Sequence, residues 1–251
     1  RVKSVAVLGT ILTGCPGSPC ALAQEQWPSR PMRIVVPSGS GSGSDIFART
    51  LAQRLTERLG KQVVVENRTG AGNMIGYEFA ARSPPDGYTI LSAVSTLAIH
   101  PVTYKKVSYD AMRDFDPVSH TANLPNLLVV HPALPLRSVK DLIALARAQP
   151  GQIVFSSAGV GATSHMATEL FMNMAKIRMS HVPYKGGGPS FQALISGEAA
   201  LSFVDAITVA PHARAGRLRA LGVSSVKRLA VLPKVPTIAE SGYPGFEVNN
   251  W

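Results

Sequence analysis

The stretch VPSGSGSGSDIFARTLAQRL, residues 36–55, joins an apolar run to a segment with Phe47, Leu51 and Leu55 at helical spacing. Between them stand Ser38, Gly39, Ser40, Gly41, Ser42, Gly43 and Ser44, and Asp45 opens the helical part. Bare backbone between a buried strand and a helix start has a physical use. The first N–H groups of a helix have no partner inside it and sit at the positive end of its dipole. Glycine and serine leave those amides open to an anion, and serine adds a hydroxyl donor. The loop therefore predicts a cradle for a small acidic group.

Working outward, strands are expected at Met32–Val36, Val63–Val65 and Tyr88–Ala93, with helices over 45–59 and about 74–82 between them. Residues 103–125 lack a clear period and read as a crossing segment. The pattern then resumes, with strands at Leu127–Val130, Ile153–Phe155, a run closing at Val182, Leu201–Val204 and Leu218–Val223. Ser138–Asp141 and Thr237–Glu240 read as capping boxes. A helix carrying Met166, Leu170, Phe171 and Met174 on one face follows the loop Ser157, Gly159, Gly161 and Thr163, which repeats the first cradle. The fold class is α/β: two lobes with a ligand cleft between them, the Gly/Ser loops lying where open sheets bind ligands.

Composition narrows the function classes. The chain has 251 residues, 45% hydrophobic and 16% charged, as a packed globular body requires. Its net charge of +10 is scattered, with no dense Lys/Arg run, so no nucleic-acid partner is expected, although small anions are attracted. Arg1 and Lys3, an apolar core from Val5 to Leu12, and Ala21-Leu22-Ala23 predict a signal peptide over residues 1–23. Leu12–Cys15 offers lipidation at Cys15 as the other exit. Both cysteines, Cys15 and Cys20, lie in that leader, which leaves the mature chain without disulfide or thiolate chemistry. No later run is long enough to cross a bilayer. The Gly-Lys-Ser/Thr phosphate loop and the Gly-x-Ser-x-Gly elbow do not occur, and the six histidines lack metal-ligand spacing; no cofactor or metal is expected. An α/β hydrolase or transferase using Ser157, His165 and Asp205 stands as the alternative class.

The pieces WPSRPMRIVVP, VVVENRTGAGNMIG, PDGYTIL, FSSAGVGATSH, HVPYKGGGPS, the Phe203-Val204-Asp205 strand end and LPKVPTIAESGYPGF occur in that order. Together they resemble the Bug-type solute receptors of tripartite tricarboxylate transporters, from Trp27 to Trp251. The resemblance implies a two-lobe periplasmic binding protein of the type II class. Lobe 1 would cover 24–122, lobe 2 would cover 123–230, and residues 231–251 would return towards lobe 1 in a chain that continues past Trp251. It implies ligand contacts from Ser38 to Asp45, from Ser95 and Thr96, from Ser157, Gly159, Gly161 and Thr163, and from Asp205. The implied function is capture, without catalysis, of a small carboxylate: a di- or tricarboxylate, an amino acid or an aromatic acid. A monomer would deliver it in the periplasm to the membrane permease subunits. Such receptors often carry Asn where Ala206 stands here.

Overall fold

Met32–Val36 forms β1 in the computed structural model, which describes residues 27–251. The leader assigned to residues 1–23, with Cys15, lies outside the described residues. Apart from Arg33, β1 is apolar and buried on both faces, as the central strand of a parallel sheet must be. It pairs in parallel with β2 (Val63–Asn67) and β3 (Thr89–Leu91), in the order β2-β1-β3. Parallel neighbours need crossovers, supplied by α1 (Gly43–Leu59) and α2 (Met74–Ala81). Ala48 and Ala52 of α1 are fully buried against Met32, Ile34, Val36 and Val63, and Leu51, Leu55 and Leu59 flank them. Gly60, left-handed at φ 66°, stops α1 and returns its N–H to Thr56 O at 3.0 Å.

The sequence reading placed no element between Ala93 and the crossing segment, yet Thr96–Thr103 is helix α3. Pro101 hides it: proline has no N–H, so the carbonyl of Leu97 loses its helical donor. Tyr109 Oη donates to that carbonyl instead, at 3.1 Å.

The second lobe is a mixed sheet. Its strands are β4 (Leu124–Val130), β5 (Val154–Ser157), β6 (Ser180–Pro183), β7 (Leu201–Asp205) and β8 (Arg219–Val223), ordered β6-β5-β7-β4-β8. β5 runs parallel to β6 and β7, whereas β4 is antiparallel to β7 and β8. Helices α4 (Val139–Ala148), α5 (Thr163–Ala175), α6 (Gly187–Ser196) and α7 (Ala206–Arg214) cover it. A last strand, β9 (Asn249–Asn250), pairs with the first two residues of β4, where the chain passes between lobes.

One local expectation is corrected and another is met. α5 buries Phe171 of the expected face together with Ala167 and Ala175, while Met174 is only partly buried and Leu170 is exposed; the alanines let the helix backbone approach the sheet closely. The Thr237–Glu240 box is fully made, with Thr237 N donating to Glu240 Oε2 at 2.8 Å and Glu240 N to Thr237 Oγ1 at 3.0 Å. It caps a single turn, because Gly242 and Pro244 follow too soon for a helix.

Phe171 sits at the centre of the larger core, edge-on to Phe203, Tyr243 and Phe246. Phe171→Ala should cost about 3–5 kcal/mol in urea unfolding, as deletion of a fully buried ring does. A loss under ~1 kcal/mol would contradict this packing.

Candidate functional site

A cleft of about 620 Å³ lies between the lobes. The N-termini of four helices reach it: α1 through Gly43 and Ser44, α5 through Thr163 and Ser164, α6 through Gly187, and α7 through Thr208. Among the described residues, the amides of Ser44, Thr163 and Ser164 have no protein acceptor. Asp205 is the one ionisable side chain on this wall, and no lysine, arginine or histidine of the described residues lines it.

The serine–glycine loop does two jobs. Ser38, Gly41, Ser42, Gly43 and Ser44 line the cleft. Ser38 Oγ lies 2.8 Å from Ser42 Oγ and 2.5 Å from Ser44 Oγ, so the three hydroxyls hold one another. Ser42 also caps α1, accepting from Asp45 N at 3.3 Å. Asp45 is turned away and buried. It accepts from Gly41 N at 2.9 Å, Arg49 Nε at 3.1 Å and Asn67 Nδ2 at 2.9 Å. Burial alone would raise its carboxyl, but these donors outweigh burial and hold it below the usual carboxylate range. Asp45 thus fixes the loop from behind. Ser40 reaches Asn67 at 3.2 Å, and Gly39 faces Gly186 of the opposite lobe.

Asp205 closes the cleft from the second lobe. Its Oδ2 accepts from Gly43 N at 3.2 Å, across the interface, and its Oδ1 from Asn126 Nδ2 at 3.0 Å. Burial raises its carboxyl above the ordinary value, and hydrogen bonds from Asn250, Asn126 and Gly43 offset this only in part. Asn126 faces Asp205 because β4 and β7 pair antiparallel with those two residues opposite. Asn250 Oδ1 accepts from Ser95 Oγ at 3.1 Å and Thr163 Oγ1 at 3.4 Å, and these two hydroxyls are 3.2 Å apart. Ser95 therefore touches the second lobe, while Thr96 is buried behind it on Tyr77 Oη at 2.6 Å. Sequence reasoning missed Asn73, Asn126, Ser164, Ser190, Thr208 and Asn250 on this wall. Asn126 left a signal, a polar residue inside an apolar strand; Asn250 left none.

The alternative reading placed Ser157 with His165 and Asp205. Ser157 Oγ instead lies 2.6 Å from His181 Nε2, fully buried behind the cleft wall. His165 accepts from Gly161 N at 3.2 Å through Nδ1, stacked on His181 with ring centres 4.2 Å apart. Among the described residues no carboxylate hydrogen-bonds His181, so nothing orients it as a base. The pair supports the Gly159–Gly161 turn from beneath.

The matched family is described as "Tripartite tricarboxylate transporter family receptor", over residues 47–251. The chain belongs to that family. It is 39% identical to the UPF0065 protein of the tcbD-tcbE intergenic region of Pseudomonas sp. (strain P51), over 97% of this chain and 73% of the relative. It is 38% identical to BugT of Bordetella pertussis, over 99% of this chain and 77% of that protein. Among solved structures, R. palustris Rpa4515 with adipate matches at a TM-score of 0.87 and 38% identity, covering 90% of this chain and 76% of that one. The receptor family is not enzymatic, which corrects the hydrolase alternative and agrees with the undirected Ser157–His181 pair. Of two further solved relatives, one is the periplasmic binding protein BugD and the other is described as a periplasmic transporter.

Two expectations follow for this receptor. A methyl group added at Gly43 would stand 2.5 Å from both Cβ and Oδ2 of Asp205, so the lobes of Gly43→Ala cannot approach this closely. Small-angle scattering should show a larger radius of gyration for the variant with unchanged circular dichroism. Equal radii would contradict the closed contact. Burial, and then the neighbouring His165, lower His181 to about 4, against 6.5 for a free histidine. The unfolded chain therefore binds the extra proton between those values, and stability falls as pH drops through that window, by at most about 1.4 kcal/mol per pH unit. His181→Gln should flatten that part of a melting-temperature profile; an unchanged slope would rule out the assignment.

Proposed function

We propose that the chain is an exported receptor that binds a small carboxylate in this cleft through backbone amides and presents it to the membrane permease of a tripartite transporter. The single observation that carries this reading is the convergence of four helix N-termini on a cleft wall that has no cationic side chain among the described residues. Each helix end contributes roughly 0.3–1 kcal/mol to an anion, up to about 2 when partly buried. Charged hydrogen bonds add about 1.5–3 kcal/mol each before ordering costs. A micromolar site needs about 8 kcal/mol, within reach of a few such bonds. Adipate in the R. palustris relative is a ligand of this kind.

Binding works by closure. A carboxylate touching Ser44 from one lobe and Thr163 and Ser164 from the other makes its full set of bonds only when the lobes meet, so it shifts the hinge towards the closed state. The hinge is the pair of strands β4 and β9, with Asn250 joining Ser95 to Thr163. Export through residues 1–23, with cleavage after Ala23, places the receptor in the periplasm as a monomer.

Isothermal titration against di- and tricarboxylates, acidic amino acids and aromatic acids should give a Kd in the micromolar range for at least one compound. The compound should be recovered chemically unchanged after prolonged incubation. No heat and no thermal shift with the whole panel would refute the reading, and turnover would replace it with an enzymatic one.

A further inference from the structure

The loops that enter α1 and α5 repeat one another down to single hydrogen bonds. Gly41-Ser42-Gly43-Ser44-Asp45 leads into α1, and Gly161-Ala162-Thr163-Ser164-His165 leads into α5. Each begins with a left-handed glycine, at φ 79° and 75°. Each N-cap is extended, Ser42 at φ −70°, ψ 161° and Ala162 at φ −65°, ψ 156°. Each N-cap N–H donates back to a glycine carbonyl at 3.2 Å, Gly39 O in one loop and Gly159 O in the other. The third helical residue then closes the turn: Gly41 N donates to Asp45 Oδ2 at 2.9 Å, and Gly161 N to His165 Nδ1 at 3.2 Å. A side chain reaching back from this position is the logic of a capping box, where Glu or Gln is usual.

The two acceptors differ in charge. Asp45 brings a full negative charge to a helix end that would receive an anion. Arg49, one turn on, cancels it, with Nε 3.1 Å from Oδ2 and Nη2 3.0 Å from Oδ1. His165 is an acceptor without a charge. An imidazole nitrogen that accepts from an amide carries no proton, so the proton of the neutral ring is on Nε2, which lies 3.5 Å from Glu169 Oε1. Burial holds the ring below the ordinary histidine value, with Glu169 opposing. Ala162 offers α5 no side-chain cap, so His165 closes this turn alone, whereas Ser42 shares the task with Asp45. His165 does not line the cleft; it stands behind the open amides of Thr163 and Ser164. A carboxylate in its place would close the turn as well and repel an anion in front of it.

We infer that His165 is a positioning residue that fixes the α5 amide cradle as an uncharged cap, and that Arg49 serves the same end at α1 by neutralising Asp45. The inference rests on the carboxylate-receptor reading and adds a rule of charge to it: each cradle is held from behind by a cap that brings no net negative charge to the helix end. One loop meets the rule with an ion pair, the other with a neutral ring.

The test is isothermal titration at neutral pH and low salt with succinate, malate, adipate, aspartate and benzoate, on wild type, His165→Gln, His165→Glu, His165→Ala and Arg49→Gln, with folding checked by circular dichroism. For a compound that wild type binds, His165→Gln should stay within about threefold of wild type, because its amide oxygen replaces Nδ1 as a neutral acceptor. His165→Glu, the same shape with a charge, should bind about five- to tenfold more weakly than His165→Gln, Arg49→Gln should fall by a similar factor, and raising the salt should close both gaps. His165→Ala should lose about five- to tenfold at any salt concentration. Equal affinities of His165→Glu and His165→Gln, or a gap that salt leaves unchanged, overturn the charge rule, and wild-type affinity in His165→Ala overturns the positioning role; both leave the receptor reading intact. If His165→Glu, which meets Glu169 at i,i+4, does not fold, Arg49→Gln decides the charge rule by the same criterion. Failure of wild type to bind any of these compounds would instead strike the receptor reading, and this inference with it.

Discussion

Two backbones must come within side-chain distance of each other for this protein to work, and glycine is what permits it. Gly43 carries its N–H to Asp205 across the cleft, at a point where even a methyl group would collide. Gly186, Gly187 and Gly188 approach the 39–42 loop so closely that added Cβ atoms would lie 3.0–3.5 Å from it. A Cβ on Gly72 would meet Val160 O at 2.6 Å. The glycine-rich loops are therefore interface surfaces as much as ligand cradles. Their bareness serves amide exposure and lobe contact together, because an amide blocked by a side chain fails at both.

That closeness decides how charge is handled. Four helix ends reaching one cleft place partial positive charge there, with no cationic side chain among the described residues that line it. A lysine or arginine in the same place would carry a full charge on a flexible stem and would lose rotamer entropy on binding. Backbone amides are already fixed, so the ordering cost is met when the protein folds. The same economy leaves Asp205 without a cationic partner, balanced only by Gly43 N and two asparagines.

Much of this was legible in the sequence, and the parts that were not have physical reasons. The strands of both lobes are short apolar runs with Gly or Ser loops at their carboxyl ends, and that pattern locates β1, α1, β5 and α5 within a few residues. Helix α3 was hidden because Pro101 breaks the pattern that Tyr109 repairs from a distance. Asn126 and Asn250 come to the cleft only through strand register, opposite Asp205 and beside Leu124, and register is a long-range fact. Within the first loop, the sequence could not separate residues that face the cleft from those that hold it. Ser42 and Ser44 face inward; Asp45 locks the turn from outside through Arg49 and Asn67. The difference is one of direction, and seven small residues in a row carry no directional signal.

The closed geometry also bears on why a ligand is needed at all. Closing the lobes removes water from the α1 and α5 amides, and a buried N–H without an acceptor costs about 1–3 kcal/mol. Asp205 satisfies Gly43, the first of them, from within the protein. Ser44, Thr163 and Ser164 are left, and the protein offers them nothing. Closure without an anion is thus partly compensated and partly penalised. On the function proposed above, a bound carboxylate would supply the missing acceptors and tip the balance. A chain in which side chains capped all four amides would close on nothing, and one that capped none would bind water in the open state and resist closing.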